Sequence, residues 1–163
     1  MGQVSEIYYP EALKEAGATG TLLNHAEKRI TLSEIYKTIK RADEVGLATI
    51  VCADSPEEAA AIAHLNPNII LAEPPELIGT EKSVGKVQKE FISKTIAMVK
   101  IINPKIIICN SAGIRTADDV KEIIRLGAEA TGSISGILKA KNPVKTMEEM
   151  VRALKEVWLE IHS

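Results

Sequence analysis

Ile69-Ile70-Leu71-Ala72-Glu73-Pro74-Pro75-Glu76-Leu77-Ile78-Gly79-Thr80 is the stretch on which the fold turns. Four apolar residues run without a polar break, as in a parallel strand covered on both faces. A carboxylate, Glu73, follows at once. Two prolines then stiffen the chain, and Gly79 restores backbone freedom further on.

Outward from this stretch the same unit repeats. Short apolar runs at 21–24, 48–52, 106–109 and 130–134 read as further strands. The last is the weakest, because Thr131-Gly132-Ser133 is polar and small. Amphipathic stretches lie between them. Residues 33–44 place Ile35, Ile39 and Ala42 on one face, and Gly46 stops that helix. Ser55-Pro56-Glu57-Glu58 reads as an N-cap, a first-turn proline and two acids matched to the helix dipole. Residues 90–102 carry Ile92, Ile96 and Val99 at helical spacing. Thr116 caps a helix reaching Leu126-Gly127, and a last helix follows Asn142-Pro143 to Trp158. One short helix, 10–16, precedes the first strand. The fold class is therefore α/β with five parallel strand–helix units. Two architectures suit it: part of a (β/α)8 barrel, or an open doubly wound sheet.

The 163 residues suffice for one domain, read as 1–163, with no low-complexity linker. A net charge of −2 argues against a nucleic-acid partner, and 3% aromatic content argues against base stacking. No apolar run approaches the ~18 residues of a membrane span, and the N-terminus lacks a signal-peptide pattern, so a cytoplasmic location is expected. Cys52 and Cys109 each close a strand and read as small core residues. A bridge between them would need the two strand ends within about 7 Å. No Cys or His spacing suggests a metal.

In either architecture, chemistry gathers where strands end. His25 stands at the first end, where an imidazole can polarise a substrate oxygen; the plainer reading is a surface histidine. Cys52-Ala53-Asp54 offers little beyond a helix cap. Glu73 is a candidate base, since partial burial raises a carboxylate's pKa; the plainer reading is a cap or an ion pair. The Pro-rich segment with its later glycine suits a lid that moves about hinges. Asn110-Ser111-Ala112-Gly113-Ile114 and Ile134-Ser135-Gly136-Ile137 are small-residue turns whose N–H groups can hold an anion, most often phosphate. Tight strand–helix packing would explain them equally well.

Taken together these residues resemble triosephosphate isomerase in its short archaeal form. Thr21-Leu22-Leu23-Asn24-His25-Ala26-Glu27 is similar to the family's fourth-strand motif. Glu73 to Thr80 is similar to its sixth-strand base and lid. Ala112-Gly113-Ile114 and Ile134-Ser135-Gly136 are similar to its phosphate loops. The resemblance runs from about Pro10 onward. It implies a partial TIM (β/α)8 barrel, with units corresponding to strands 4–8, that interconverts dihydroxyacetone phosphate and glyceraldehyde 3-phosphate. Glu73 would be the base and neutral His25 the electrophile. Ile78, Gly79, Gly113, Ile134, Ser135 and Gly136 would hold the substrate's phosphate. No metal or organic cofactor is implied.

The same comparison implies that the family's first three units are absent, among them the Asn-x-Lys strand. Lys14, on the short helix, does not replace its lysine. Ala26 stands where serine is usual, Glu81 where the lid has a second glycine, and Asn110-Ser111 where Cys-Gly is usual. Five of eight strands leave two open edges. The expected partners are therefore a small triose phosphate, and either further copies of the chain (a dimer or tetramer) or a chain supplying the other strands. The chain by itself is expected to isomerise very poorly. A reading from another class is a non-catalytic phosphate-binding or assembly module on the same scaffold.

Overall fold

A computed structural model describes residues 10–74 and 86–163. Five parallel strands form one sheet: β1 Gly20–Leu23, β2 Ala48–Ala53, β3 Ile69–Ala72, β4 Ile107–Asn110 and β5 Ala130–Thr131. The helices are α1 Pro10–Glu15, α2 Leu32–Val45, α3 Pro56–Ala63, α4 Lys86–Ile102, α5 Ala117–Arg125, α6 Ser135–Leu138 and α7 Pro143–His162.

The strand order is β1-β2-β3-β4-β5, without reversal. A doubly wound sheet reverses its order at a switch point. With right-handed crossovers, an unreversed order puts every helix on the same face, as in a barrel wall. Burial follows that division. Val51, Ala53, Ile70, Ala72 and Ile108 point to the helices and are at most 1% exposed. Val51, Ala53, Ile70 and Ile108 form one core with Ile35, Ile39, Ile62 and Val99 from α2, α3 and α4. The opposite face carries Leu22, Ile50, Cys52, Ile69, Leu71, Ile107 and Cys109. No helix covers it among the described residues, and Leu22 and Ile107 are 49% and 39% exposed. A second core joins α5 and α7 through Val120, Ile123, Met150 and Ala153.

The helix ends follow from local chemistry. Thr31 and Glu34 form a reciprocal capping box at α2, and Gly46 closes it in the left-handed conformation at φ 72°. Ser55 caps α3, Thr116 and Asp119 box the start of α5, and Asn142 caps α7 ahead of Pro143.

The N-terminal rim of the sheet is laced by polar ties. The Lys14 ammonium donates to the Gly46 carbonyl at 2.9 Å. Asn68 accepts from the Thr49 N–H at 2.7 Å through its side chain and from the Ile107 N–H at 3.0 Å through its carbonyl. Glu129 accepts from the Ile108 N–H at 3.2 Å and pairs with Lys100 at 2.5 Å.

Two expectations need correction. The run 130–134 keeps strand pairing only at Ala130–Thr131, and α6 begins at Ser135. The hydroxyl of Ser133 turns away to the Ile114 carbonyl at 2.6 Å. Asn24 does not extend β1: its backbone turns left-handed at φ 59°, and its side chain reaches across to the Cys52 carbonyl at 3.0 Å. A Cys52–Cys109 disulfide is out of reach. Both pair with Leu71 from opposite sides, which separates them by two strand spacings, about 9.5 Å. Both are free thiols.

Candidate active site

Glu73 lies one residue beyond β3, on the face without helices, and its N–H donates to the Ala53 carbonyl at 3.0 Å. Leu71 pairs with Cys109, so two residues further on Glu73 and Ser111 sit abreast on neighbouring strand ends. The Ser111 hydroxyl lies close enough to the Glu73 carboxylate to act on its charge. Burial pushes that carboxyl above its ordinary range. The nearby His25 and the Ser111 hydroxyl pull the other way, and Asp54 adds to the rise. A half-buried carboxylate with a hydroxyl and an imidazole within electrostatic reach is suited to taking a proton from carbon.

His25 follows the left-handed turn at Asn24. The Glu27 N–H donates to its Nδ1 at 3.3 Å. The same Nδ1 lies 3.7 Å from the Glu27 carboxylate; in the tautomer in which Nδ1 accepts, Nε2–H is the group left to donate to a substrate oxygen. The turn is fixed from beneath. Asn24 is 3% exposed; its amide donates to the Cys52 carbonyl and to Glu58, and its Oδ1 accepts from the Ile30 N–H at 3.1 Å. Arg29 donates to the Asn24 carbonyl at 3.1 Å, pairs with Asp54 at 3.0 Å and bonds Glu58. The second strand end, read from sequence as a helix cap alone, thus helps position the first.

The two small-residue turns come together. The Ser133 hydroxyl ties β5's end to Ile114. Gly136 packs so closely beneath that a Cβ there would stand 2.5 Å from the Ile114 carbonyl oxygen and 2.8 Å from the Arg115 Cα. Gly113 takes φ 72°, which favours glycine. Ile134 is 78% exposed, and Ser135 opens α6. Ile78 and Gly79 lie outside the described residues.

Three contributors escaped sequence reasoning. Asn110 is fully buried and donates to the Ala72 carbonyl at 2.6 Å. Gln88, in the first turn of α4, donates to the Asn110 Oδ1 at 3.3 Å and to the Ala112 carbonyl. Ser111 meets Glu73. Only the polar character of 110–111 at a strand end hinted at them. Lys14, by contrast, is held to Gly46 ahead of β2, at the opposite rim from Glu73, about 17–20 Å away along a six-residue strand.

Fold and site together define a barrel-type chain of parallel βα units with its reactive groups at the C-terminal strand ends. A model of the triosephosphate isomerase family matches residues 2–153. A triosephosphate isomerase of Methanobacterium bryantii is 46% identical over 142 residues, covering 87% of this chain and 63% of the relative. That of Sulfurisphaera tokodaii is 42% identical over 149 residues, covering 91% and 65%. The chain belongs to the triosephosphate isomerase family, and it spans just under two thirds of the length of these relatives. Among solved structures, thiamine phosphate pyrophosphorylase from Pyrococcus furiosus matches at TM-score 0.65 and 18% identity, covering 91% of this chain and 65% of that one. The 3-hexulose-6-phosphate synthase of Salmonella typhimurium matches at 0.63 and 20%, covering 91% and 67%. At those identities the likeness is one of fold.

Proposed function

We propose that this chain carries the acid–base and phosphate-holding part of a triosephosphate isomerase site. The carrying observation is Glu73: a half-buried carboxylate at a strand end, its pKa raised by burial, with His25 close enough to act on it. Glu73 takes a proton from the carbon bearing the hydroxyl of dihydroxyacetone phosphate. The released electron pair forms the C1–C2 double bond, and charge moves to the carbonyl oxygen. His25 Nε2–H donates to that oxygen and shuttles protons between the two oxygens of the enediolate. Return of the proton to C2 gives glyceraldehyde 3-phosphate. The backbone N–H groups of Gly113, Ile134, Ser135 and Gly136 hold the phosphate, and the small-residue turns let the anion approach.

In this reading residues 1–163 form one incomplete barrel domain. Its uncovered face and open edges take further strands from another chain or another copy, and that partner supplies the lysine. Positive charge near an enolate-like transition state has a large effect on rate. The second reading is a phosphate-binding or assembly module without turnover. The position of Lys14 favours it for the chain alone.

An isomerase assay on the purified chain, with oligomeric state measured alongside, tests both readings. Turnover that Glu73→Gln abolishes in a folded protein supports the first. Turnover that survives the substitution removes Glu73 as the base. A phosphate-bearing enediolate mimic is expected to move the amide resonances of Gly113 and Ser135; unmoved amides would sink the phosphate assignment.

A further inference from the structure

The Glu73 strand end and the Ser111–Gly113 turn are joined beneath the site by two buried amides. Asn110 is 0% exposed and Gln88 2%. The Asn110 side chain donates to the Ala72 carbonyl at 2.6 Å, one residue before Glu73, and its own carbonyl accepts from the Thr131 hydroxyl at 2.8 Å. Gln88 uses its amide nitrogen twice, on Asn110 Oδ1 at 3.3 Å and on the Ala112 carbonyl. One continuous chain of hydrogen bonds thus runs from the first turn of α4, through the floor of the turn, to the peptide that carries the candidate base.

Among the described residues, the Gln88 side chain is used through its amide nitrogen alone. Its Oε1 is buried without a hydrogen-bond partner among the described residues. A buried unsatisfied acceptor is destabilising. An apolar side chain of the same length would remove that acceptor but leave the buried Asn110 Oδ1 and Ala112 carbonyl without a donor. The two bonds of Gln88 tie separate parts of the site together, which is what a residue that places the site must do.

We propose that Gln88 and Asn110 are positioning residues: they set the Glu73 strand end against the Ser111–Gly113 turn, so that base and phosphate-holding amides keep a fixed separation. Neither touches the substrate. Both act through main-chain carbonyls, Ala72 on one side and Ala112 on the other. The inference rests on the isomerase reading for its consequence in turnover, and on the hydrogen bonds alone for the coupling itself.

The test is a double-mutant cycle with Gln88→Met and Asn110→Leu, read by amide resonances in the isotope-labelled chain. Gln88→Met, which leaves the Asn110 Oδ1 and the Ala112 carbonyl without their donor, is expected to lower thermal stability modestly and to shift the amides of Ala72 and Glu73 as well as those of Ala112 and Gly113. In the Asn110→Leu background the same change is expected to leave Ala72 and Glu73 unmoved, because the path is already cut. If Asn110→Leu does not fold, Asn110→Ala serves the same purpose. Wherever an assembly with turnover is obtained, Gln88→Met is expected to lower kcat about tenfold with KM changed less than twofold, as for a misplaced base. The proposal is overturned if Gln88→Met leaves Ala72 and Glu73 unmoved. It is equally overturned if the shift persists undiminished without Asn110, or if KM rises while kcat is kept. A chain that neither turns over nor binds inorganic phosphate defeats the isomerase reading instead, while the amide cycle still decides the coupling.

Discussion

The Ser133 hydroxyl donates to the Ile114 carbonyl at 2.6 Å, so the turn after β5 is bolted to the turn after β4. Ser133→Ala is expected to cost about 1 kcal/mol, the net worth of one intramolecular hydrogen bond, as measured by urea unfolding. It should also weaken inorganic phosphate binding several-fold. Unchanged phosphate binding would separate the two turns functionally.

Gly136 leaves no room for a side chain. Gly136→Ala would drive a Cβ against the Ile114 carbonyl and the Arg115 backbone, neither of which is a flexible tip. A loss of about 1–3 kcal/mol is expected, with the amides of Gly113 and Ser135 displaced in the unliganded protein. A variant of wild-type stability would mean that the turns move apart easily.

Asn24 combines a left-handed backbone with three side-chain hydrogen bonds. Asn24→Ala removes all three and leaves the Ile30 N–H without its acceptor. About 2–3 kcal/mol of stability should be lost, and the imidazole resonances of His25 should move. Stationary His25 signals would show that the Arg29–Asp54–Glu58 cluster holds the turn without it.

For Glu73 the sign of the pH dependence is fixed by burial. Its folded pKa lies above the ordinary carboxylate value of 4.5. The stability gained by protonating it is therefore present below that value and lost as pH rises through the folded pKa. Glu73→Gln, which is neutral throughout, should be the more stable protein at pH 7. That advantage should shrink as the pH falls through the folded pKa and be gone below the ordinary carboxylate value. Parallel stability curves for the two proteins would contradict the burial effect.

The thiols are expected to be inert in the native state. Burial pushes the Cys52 thiol up to about 12, with the charge of Glu73 adding, and the Cys109 thiol up to about 11. Thiolate is scarce near pH 8, so a chromogenic disulfide reagent should react slowly until urea unfolds the chain. Fast labelling of the folded protein would contradict this.

The alternation of strands and helices was readable because each strand is a short apolar run and each helix start carries its own cap. Ser55, Thr116 and Asn142 announced α3, α5 and α7, and Gly46 announced the end of α2. The barrel choice was not readable from the runs alone, since a doubly wound sheet uses the same ones; it needed the unreversed order of the strands. Glu73 and His25 stood out because they are reactive side chains at strand ends. Gln88, Asn110 and Ser111 did not. Their roles come from bonds across 22 to 38 residues of sequence and from register between β3 and β4, which no local pattern encodes. The 130–134 run misled for a related reason: Ser133 gives up strand pairing for a partner on another turn.

The ties of the N-terminal rim have an evolutionary consequence. Lys14, Asn68, Lys100 and Glu129 bind the sheet together on the side away from Glu73. The reactive side chains and these ties thus sit at opposite ends of the same strands. A lineage can therefore exchange Glu73 or His25 without loosening the far rim.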